Sequence, residues 1–157
     1  MSALQELLRD YLAGPKALRE AIAGMSAEQL RARPIAGKWS THEVVCHLAD
    51  FDPILADRMK RVIAEERPSL VGADENRFAA ALVYERRDAE EDLRIIELTR
   101  SQMGKILAAL PDSALQRVGI HSERGELSLQ KLLLAATRHI EHHVGFIREK
   151  RKALGLA

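Results

Sequence analysis

Leu129-Gln-Lys-Leu-Leu-Leu-Ala-Ala-Thr-Arg-His139-Ile-Glu-His-His143-Val-Gly-Phe-Ile147 reads as one amphipathic helix, and its pattern decides the fold. Leu129, Leu132, Leu133, Ala136, Ile140, Val144 and Ile147, with Leu154 beyond them, form a single stripe at roughly 100° per residue. The same stretch packs three of the chain's six histidines into five positions. His139 and His143 are four apart, so they project from one face, one turn above the other. His143 falls near the centre of the stripe and His139 within roughly 60° of it, while His142 lies roughly 120° away. Two imidazoles therefore face the core and one faces out, a spacing that lets the inner pair bind one metal ion.

Helical periodicity continues upstream. A first long helix is predicted from about Ser2 to Ala23, with Ser2 and Gln5 spaced as a capping box and Gly24 as its stop. Ser26 and Gln29 repeat the capping signal for a short helix ending before Pro34, and Pro34 to Lys38 reads as a loop. A second long helix starts at Ser40, with Glu43 reaching back, and ends before Pro68. Its stripe is Val44, His47, Leu48, Phe51, Leu55, Arg58 and Val62. Pro53 lies inside it and removes the hydrogen bond to the Ala49 carbonyl, so a kink near Asp50–Pro53 or a restart capped by Asp52 is expected. After a mixed region with a short helix around Asn76–Val83, a third long helix runs from Asp88 to about Leu110, where Pro111 closes it. Residues 112–127 are irregular or weakly β, with a small hairpin expected around Arg124-Gly125, and Ser128 caps the fourth long helix. The pattern predicts an all-α protein: a four-helix bundle with short extra helices and a small hairpin in its connections.

The apolar content is mostly Leu and Ala, which favours helices over sheets. A length of 157 residues suits one domain over 1–157 with a single substantial core. The formal charge is only +1, so bulk electrostatics make no case for nucleic acid, and the basic tail Arg148 to Lys152 reads as a solvated helix end. One cysteine, Cys46, excludes an intramolecular disulfide and fits a reducing cytoplasm. No apolar run approaches a membrane span, and no signal-peptide core is present at the amino terminus. Aromatics are too scarce for a base-stacking surface.

Two histidines are too few for zinc, nickel or iron, which take three or four protein ligands. His47, on the apolar stripe of the second long helix, meets the condition for a third, whereas His42 and His121 lie off it. The candidate site is His47, His139 and His143, with the remaining coordination positions left for water or substrate, the open form that catalytic metals take. Each imidazole is expected to donate its second nitrogen's proton to a carboxylate, carbonyl or water. Asp50, one turn beyond His47, is the candidate for that supporting role or for proton transfer. Cys46 points away from the His47 stripe and reads as a packed small hydrophobe. Trp39 is placed to plug the end of the core, with substrate stacking as its other use. Tyr84 and Arg100 read as packing or solvated side chains.

Gly37-Lys-Trp-Ser-Thr-His-Glu-Val-Val-Cys-His47-Leu-Ala-Asp50 resembles a stretch of the DinB/YfiT-like superfamily of metal-dependent helical bundles. Gly125-Glu-Leu-Ser-Leu-Gln-Lys-Leu-Leu, followed by His139-Ile-Glu-His-His143, resembles that superfamily's closing stretch, and Asp74-Glu-Asn-Arg-Phe is similar to a segment before its third long helix. The resemblance implies up-down-down-up connectivity and three metal histidines falling on His47, His139 and His143. It also implies nickel, zinc or a similar divalent ion (iron or manganese are further choices), often in a homodimer. Relatives include thiol-dependent transferases and isomerases, so a small-molecule substrate and a low-molecular-weight thiol are the expected partners. Two functional classes follow: a metal-dependent transferase or hydrolase acting on a small molecule, or a non-catalytic metal-binding or stress-associated helical dimer.

Overall fold

The structure, a computed structural model, describes Met1–Ala157. Four long helices carry it: α1 (Ala3–Ile22), α3 (Thr41–Ala64), α5 (Ala89–Ala108) and α6 (Leu129–Ala153). Two short ones, α2 (Ala27–Arg31) and α4 (Glu75–Ala81), lie in the connections. Ser2, Ser26 and Ser40 each accept a backbone N–H bond from three residues on, while Gln5, Gln29 and Glu43 reach back to them. These reciprocal bonds satisfy donors that a helix start otherwise leaves orphaned. Asp88 and Ser128 cap α5 and α6 in the simpler one-bond form.

The core falls into two clusters stacked along the bundle. One joins the start of α1 (Leu4, Tyr11), the end of α3 (Met59, Val62), the end of α5 (Met103, Leu107) and the start of α6 (Leu129, Leu133). The other joins the opposite ends: Leu18, Val44, Leu48, Leu93, Ile96, Ile140 and Ile147. Thus α1 and α6 run one way and α3 and α5 the other, which is up-down-down-up. Each of α1 and α3 packs against both α5 and α6. Because α3 and α5 are parallel, the chain between them must travel the length of the bundle, and α4 lies on that crossover. At the far end, β1 (Ser69–Leu70) pairs in parallel with β2 (Val118–His121), which pairs antiparallel with β3 (Gly125–Ser128). The expected hairpin is there, with Gly125 at φ +71° in the left-handed region.

Of the two outcomes expected of helix α3 at Pro53, a kink or a restart, the restart does not occur. The helix runs through the proline, and Asp52 is not a cap. Asp52 is buried and faces Arg100 of α5, itself only 1% exposed. The Arg100 guanidinium donates to both Asp52 carboxylate oxygens, at 2.8–3.2 Å. Its remaining N–H groups reach the carbonyls of Tyr11 at 2.6 Å and Ala136 at 2.7 Å. One side chain therefore bonds to the other three long helices. Gly14 makes room for it, since a Cβ there would lie 2.5 Å from Arg100 Nη1. Breaking a buried, hydrogen-bonded ion pair strands a charge at a cost of about 3–5 kcal/mol, whereas an exposed pair contributes about 0–1. Asp52→Ala should lower the unfolding free energy in urea by the larger amount, and Asp57→Ala, which loses only an exposed bond to Arg61, by less than the smaller limit. Equal losses would contradict this ordering.

Candidate metal centre

The paired faces of α3 and α6 bring His47, His139 and His143 together. Their ring centroids form a near-equilateral triangle with sides of 4.9, 4.8 and 4.9 Å. One ligand-capable atom from each lies within 4.8 Å of the others, and the closest approach is His47 Nε2 to His139 Nε2 at 2.9 Å. An ion bound at about 2.0–2.1 Å by tetrahedral imidazoles needs nitrogens about 3.3 Å apart. The observed spacings bracket that value.

His47 is fully buried, His143 is 9% exposed and His139 is half-buried. Burial, with each ring's histidine neighbour adding repulsion, pushes all three pKa values down to about 3. They are neutral at physiological pH and present lone pairs without competition from protons. The 2.9 Å contact is the only hydrogen bond among their ring nitrogens, and the Nδ1 atom of each is buried with no partner. The supporting carboxylate or carbonyl expected from the sequence is thus missing from the protein. The rings are held instead by an aromatic shell, with His47 between Trp39 at 5.1 Å and Phe51 at 4.7 Å, and His143 beside Phe146 at 6.0 Å. Three neutral imidazoles whose nitrogens converge fit a divalent cation, which would take the converging lone pairs and leave each ring's proton on its other nitrogen.

Asp50 stands elsewhere. Three helical steps from His47 rotate it about 60° off that face, and its oxygens accept from Arg87 Nη1 at 2.8 Å and Tyr84 Oη at 2.9 Å. Arg87 continues to Asp92 and the Cys46 carbonyl. Asp50 therefore bonds to none of the three imidazoles. Cys46 is buried beside His42, and burial, reinforced by Asp92, pushes its thiol up to about 12. It is packing, as the sequence indicates. His142 lies outside the triangle, exposed and edge-to-face with Phe146 at 4.5 Å.

The residue that sequence reasoning missed is Glu75. Asp74 caps α4 through Asn76 and Arg77, which sets Glu75 in the first turn, with its Oε2 3.8 Å from His47 Nε2. The signal available was the acidic pair opening a short helix on a crossover that had to pass over α3. Two clefts, of 440 and 470 Å³, meet along Glu75, His139 and His142. The first also holds His143, Trp39 and Lys150; the second holds Phe51, Arg58 and Arg138. A larger depression of 970 Å³ along Pro53, Arg77 and Phe78 contains none of the histidines. The triangle therefore opens onto solvent-filled space past one carboxylate.

A family model described as the DinB superfamily matches residues 11–147. A Bacillus licheniformis protein provisionally named a metal-dependent hydrolase is 27% identical over 153 residues, covering 97% of this chain and 87% of that protein. Among solved structures, YfiT from Bacillus subtilis, described as a "probable metal-dependent hydrolase with an unusual four-helix bundle topology", superposes with a TM-score of 0.91 at 23% identity, covering 100% of this chain and 91% of that one. A mycothiol-dependent maleylpyruvate isomerase superposes with a TM-score of 0.71 at 14% identity, over 92% of this chain and 60% of that one. At these identities the two structures establish a shared fold.

The depressed imidazole pKa values have a consequence for stability. In the unfolded chain histidine protonates near pH 6.5, whereas the folded, metal-free protein excludes those protons down to about pH 3. Between the two values the unfolded state binds more protons, so stability is fullest above pH 6.5 and falls as the pH is lowered. Urea midpoints of chelator-treated protein should drop between pH 7 and pH 5, and drop less in His143→Leu. Parallel profiles for the two proteins would contradict the neutral burial of His143.

Proposed function

The chain belongs to the DinB superfamily, and on that footing we propose that it is a divalent-metal-dependent enzyme acting on a small molecule, with His47, His139 and His143 holding the ion. The observation that carries the proposal is the triangle of neutral imidazoles, open on one side to two clefts. Nickel or zinc suits three imidazole nitrogens with a free position, and iron or manganese are the alternatives. When bound, the ion supplies Lewis acidity that makes a thiol or water a better nucleophile near neutral pH.

The chain's own residues supply the rest. Glu75, at the open edge of the triangle, is placed to take the nucleophile's proton. Trp39, Phe51 and Phe146 keep water from the inner sides of the rings. Asp50 acts as a positioning residue: tied to Arg87 and Tyr84, it holds the turn of α3 that follows His47. With a low-molecular-weight thiol as nucleophile the reaction is a group transfer, and with water it is a hydrolysis. The names of the relatives support the second, and the thiol-dependent structural neighbour supports the first. A cytoplasmic homodimer completes the reading.

Elemental analysis of protein purified without an affinity tag should find about one divalent metal per chain, and His143→Ala should reduce it to background with helicity retained. Unchanged metal content in that variant would remove the ligand assignment. A screen of thiols and electrophiles on metal-loaded protein should give an activity that His47→Ala abolishes. Glu75→Gln should lower kcat by about 10²–10⁴-fold at unchanged metal content, the range for losing a general base. Full activity in both variants would leave the histidines as a structural or storage site.

A further inference from the structure

Lys150 does not behave as the solvated helix end that its basic neighbours suggest. Arg148, Glu149 and Lys152 are exposed, but Lys150 folds inward and is 4% exposed. Its ammonium makes no hydrogen bond or ion pair and lies over the face of Phe146, with the ring centroid 5.8 Å away. A cation in such a place ordinarily has a carboxylate or carbonyl against it. Arg151, next in the chain, meets that rule by donating to the carbonyls of Ala21, Ala23 and Ala157. Of the acid groups near Lys150, Glu43 pairs with Arg33, and Glu149, though exposed, lines the same cleft without pairing with the lysine.

Lys150 lines the same 440 Å³ cleft as His139 and His143, and Lys38, from the loop before α3, lines it too. Burial lowers the pKa of Lys150 from the usual lysine range; Glu149 opposes the shift and Lys38 reinforces it. The lysine stands seven residues beyond His143, so along α6 the two are separated by about 10 Å. The cleft thus holds two cations, Lys38 and Lys150, beside the carboxylate of Glu149, which pairs with neither, and the Lys150 side chain is buried with its ammonium in no ion pair.

We propose that Lys150, assisted by Lys38, is an anion-recognition subsite that takes a carboxylate of the small molecule whose reacting end meets the three histidines. This rests on the reading of those histidines as the reacting centre. The carboxylate replaces the counter-ion that the fold omits, and the length of α6 between the two groups selects a molecule with its acid several bonds from its reacting atom. Either the nucleophile or the electrophile could bring that acid. Specificity then comes from the lysine and reactivity from the other end of the cleft.

Calorimetry with matched acids and amides tests this. On zinc-loaded protein, 6-mercaptohexanoate should bind about tenfold or more tightly than 6-mercaptohexanamide, as expected for one charge-assisted contact. On metal-free protein, hexanoate should likewise bind more tightly than hexanamide, so this arm stands even if the histidines hold no ion. Lys150→Met should erase the preference while zinc stoichiometry stays unchanged, and its thermal stability should equal or exceed that of the wild type, because the ammonium has no bonded partner to lose. Equal affinities for acid and amide in the wild type, or a preference that survives Lys150→Met, would overturn the proposal. A destabilised Lys150→Met that still prefers acids would show the lysine to be structural.

Discussion

The Arg100 guanidinium holds the register of the bundle. It bonds to Asp52 on α3, to Tyr11 on α1 and to Ala136 on α6. Asp52 lies five residues after His47, and Ala136 lies three before His139, so the clamp acts within about two turns of the histidines. Sliding α3 against α6 by one turn, about 5.4 Å, would part His47 from its partners and break these bonds together. A planar fork of donors suits this task better than an ammonium, because each N–H has a fixed direction. The room that Gly14 leaves belongs to the same arrangement.

With the register fixed, the chemistry of the interior follows from burial. Three imidazoles buried among Trp39, Phe51 and Phe146 have their pKa values pushed down to about 3, and neutral rings with converging nitrogens are good donors to a cation. The crossover required by parallel α3 and α5 adds what the bundle lacks. It carries α4 across α3, sets Phe78 against Phe51 at 5.2 Å, and puts Glu75 at the edge of the triangle. Connectivity and site are therefore linked: the long connection that parallel α3 and α5 require also brings a carboxylate beside His47.

What was legible in the sequence was local or periodic. Serine caps at 2, 40 and 128, the stripe on α6 and the turn at Gly125 follow from short-range rules, and all of them stand in the structure. The meeting of His47 with His139 and His143 was legible because each lies on an apolar stripe, and stripes face one another in a bundle. Charged residues inside the core were not. Arg100 and Lys150 look like the solvent-facing half of an amphipathic pattern, and only their long-range surroundings show them buried. Asp52 before Pro53 suggests a cap as one alternative, whereas its actual partner is a residue 48 positions away. Glu75 was hidden for the same reason, because the path of a crossover is a tertiary property.

The central claim, that His47, His139 and His143 hold one divalent ion at the mouth of the clefts, is tested most directly by X-ray absorption on the nickel- or zinc-loaded protein. Three imidazole nitrogens at about 2.0–2.1 Å, with the outer-shell scattering of three intact rings, is the predicted result, and His47→Ala should reduce the count to two. A shell of oxygens alone, or a spectrum that His47→Ala leaves unchanged, would contradict it.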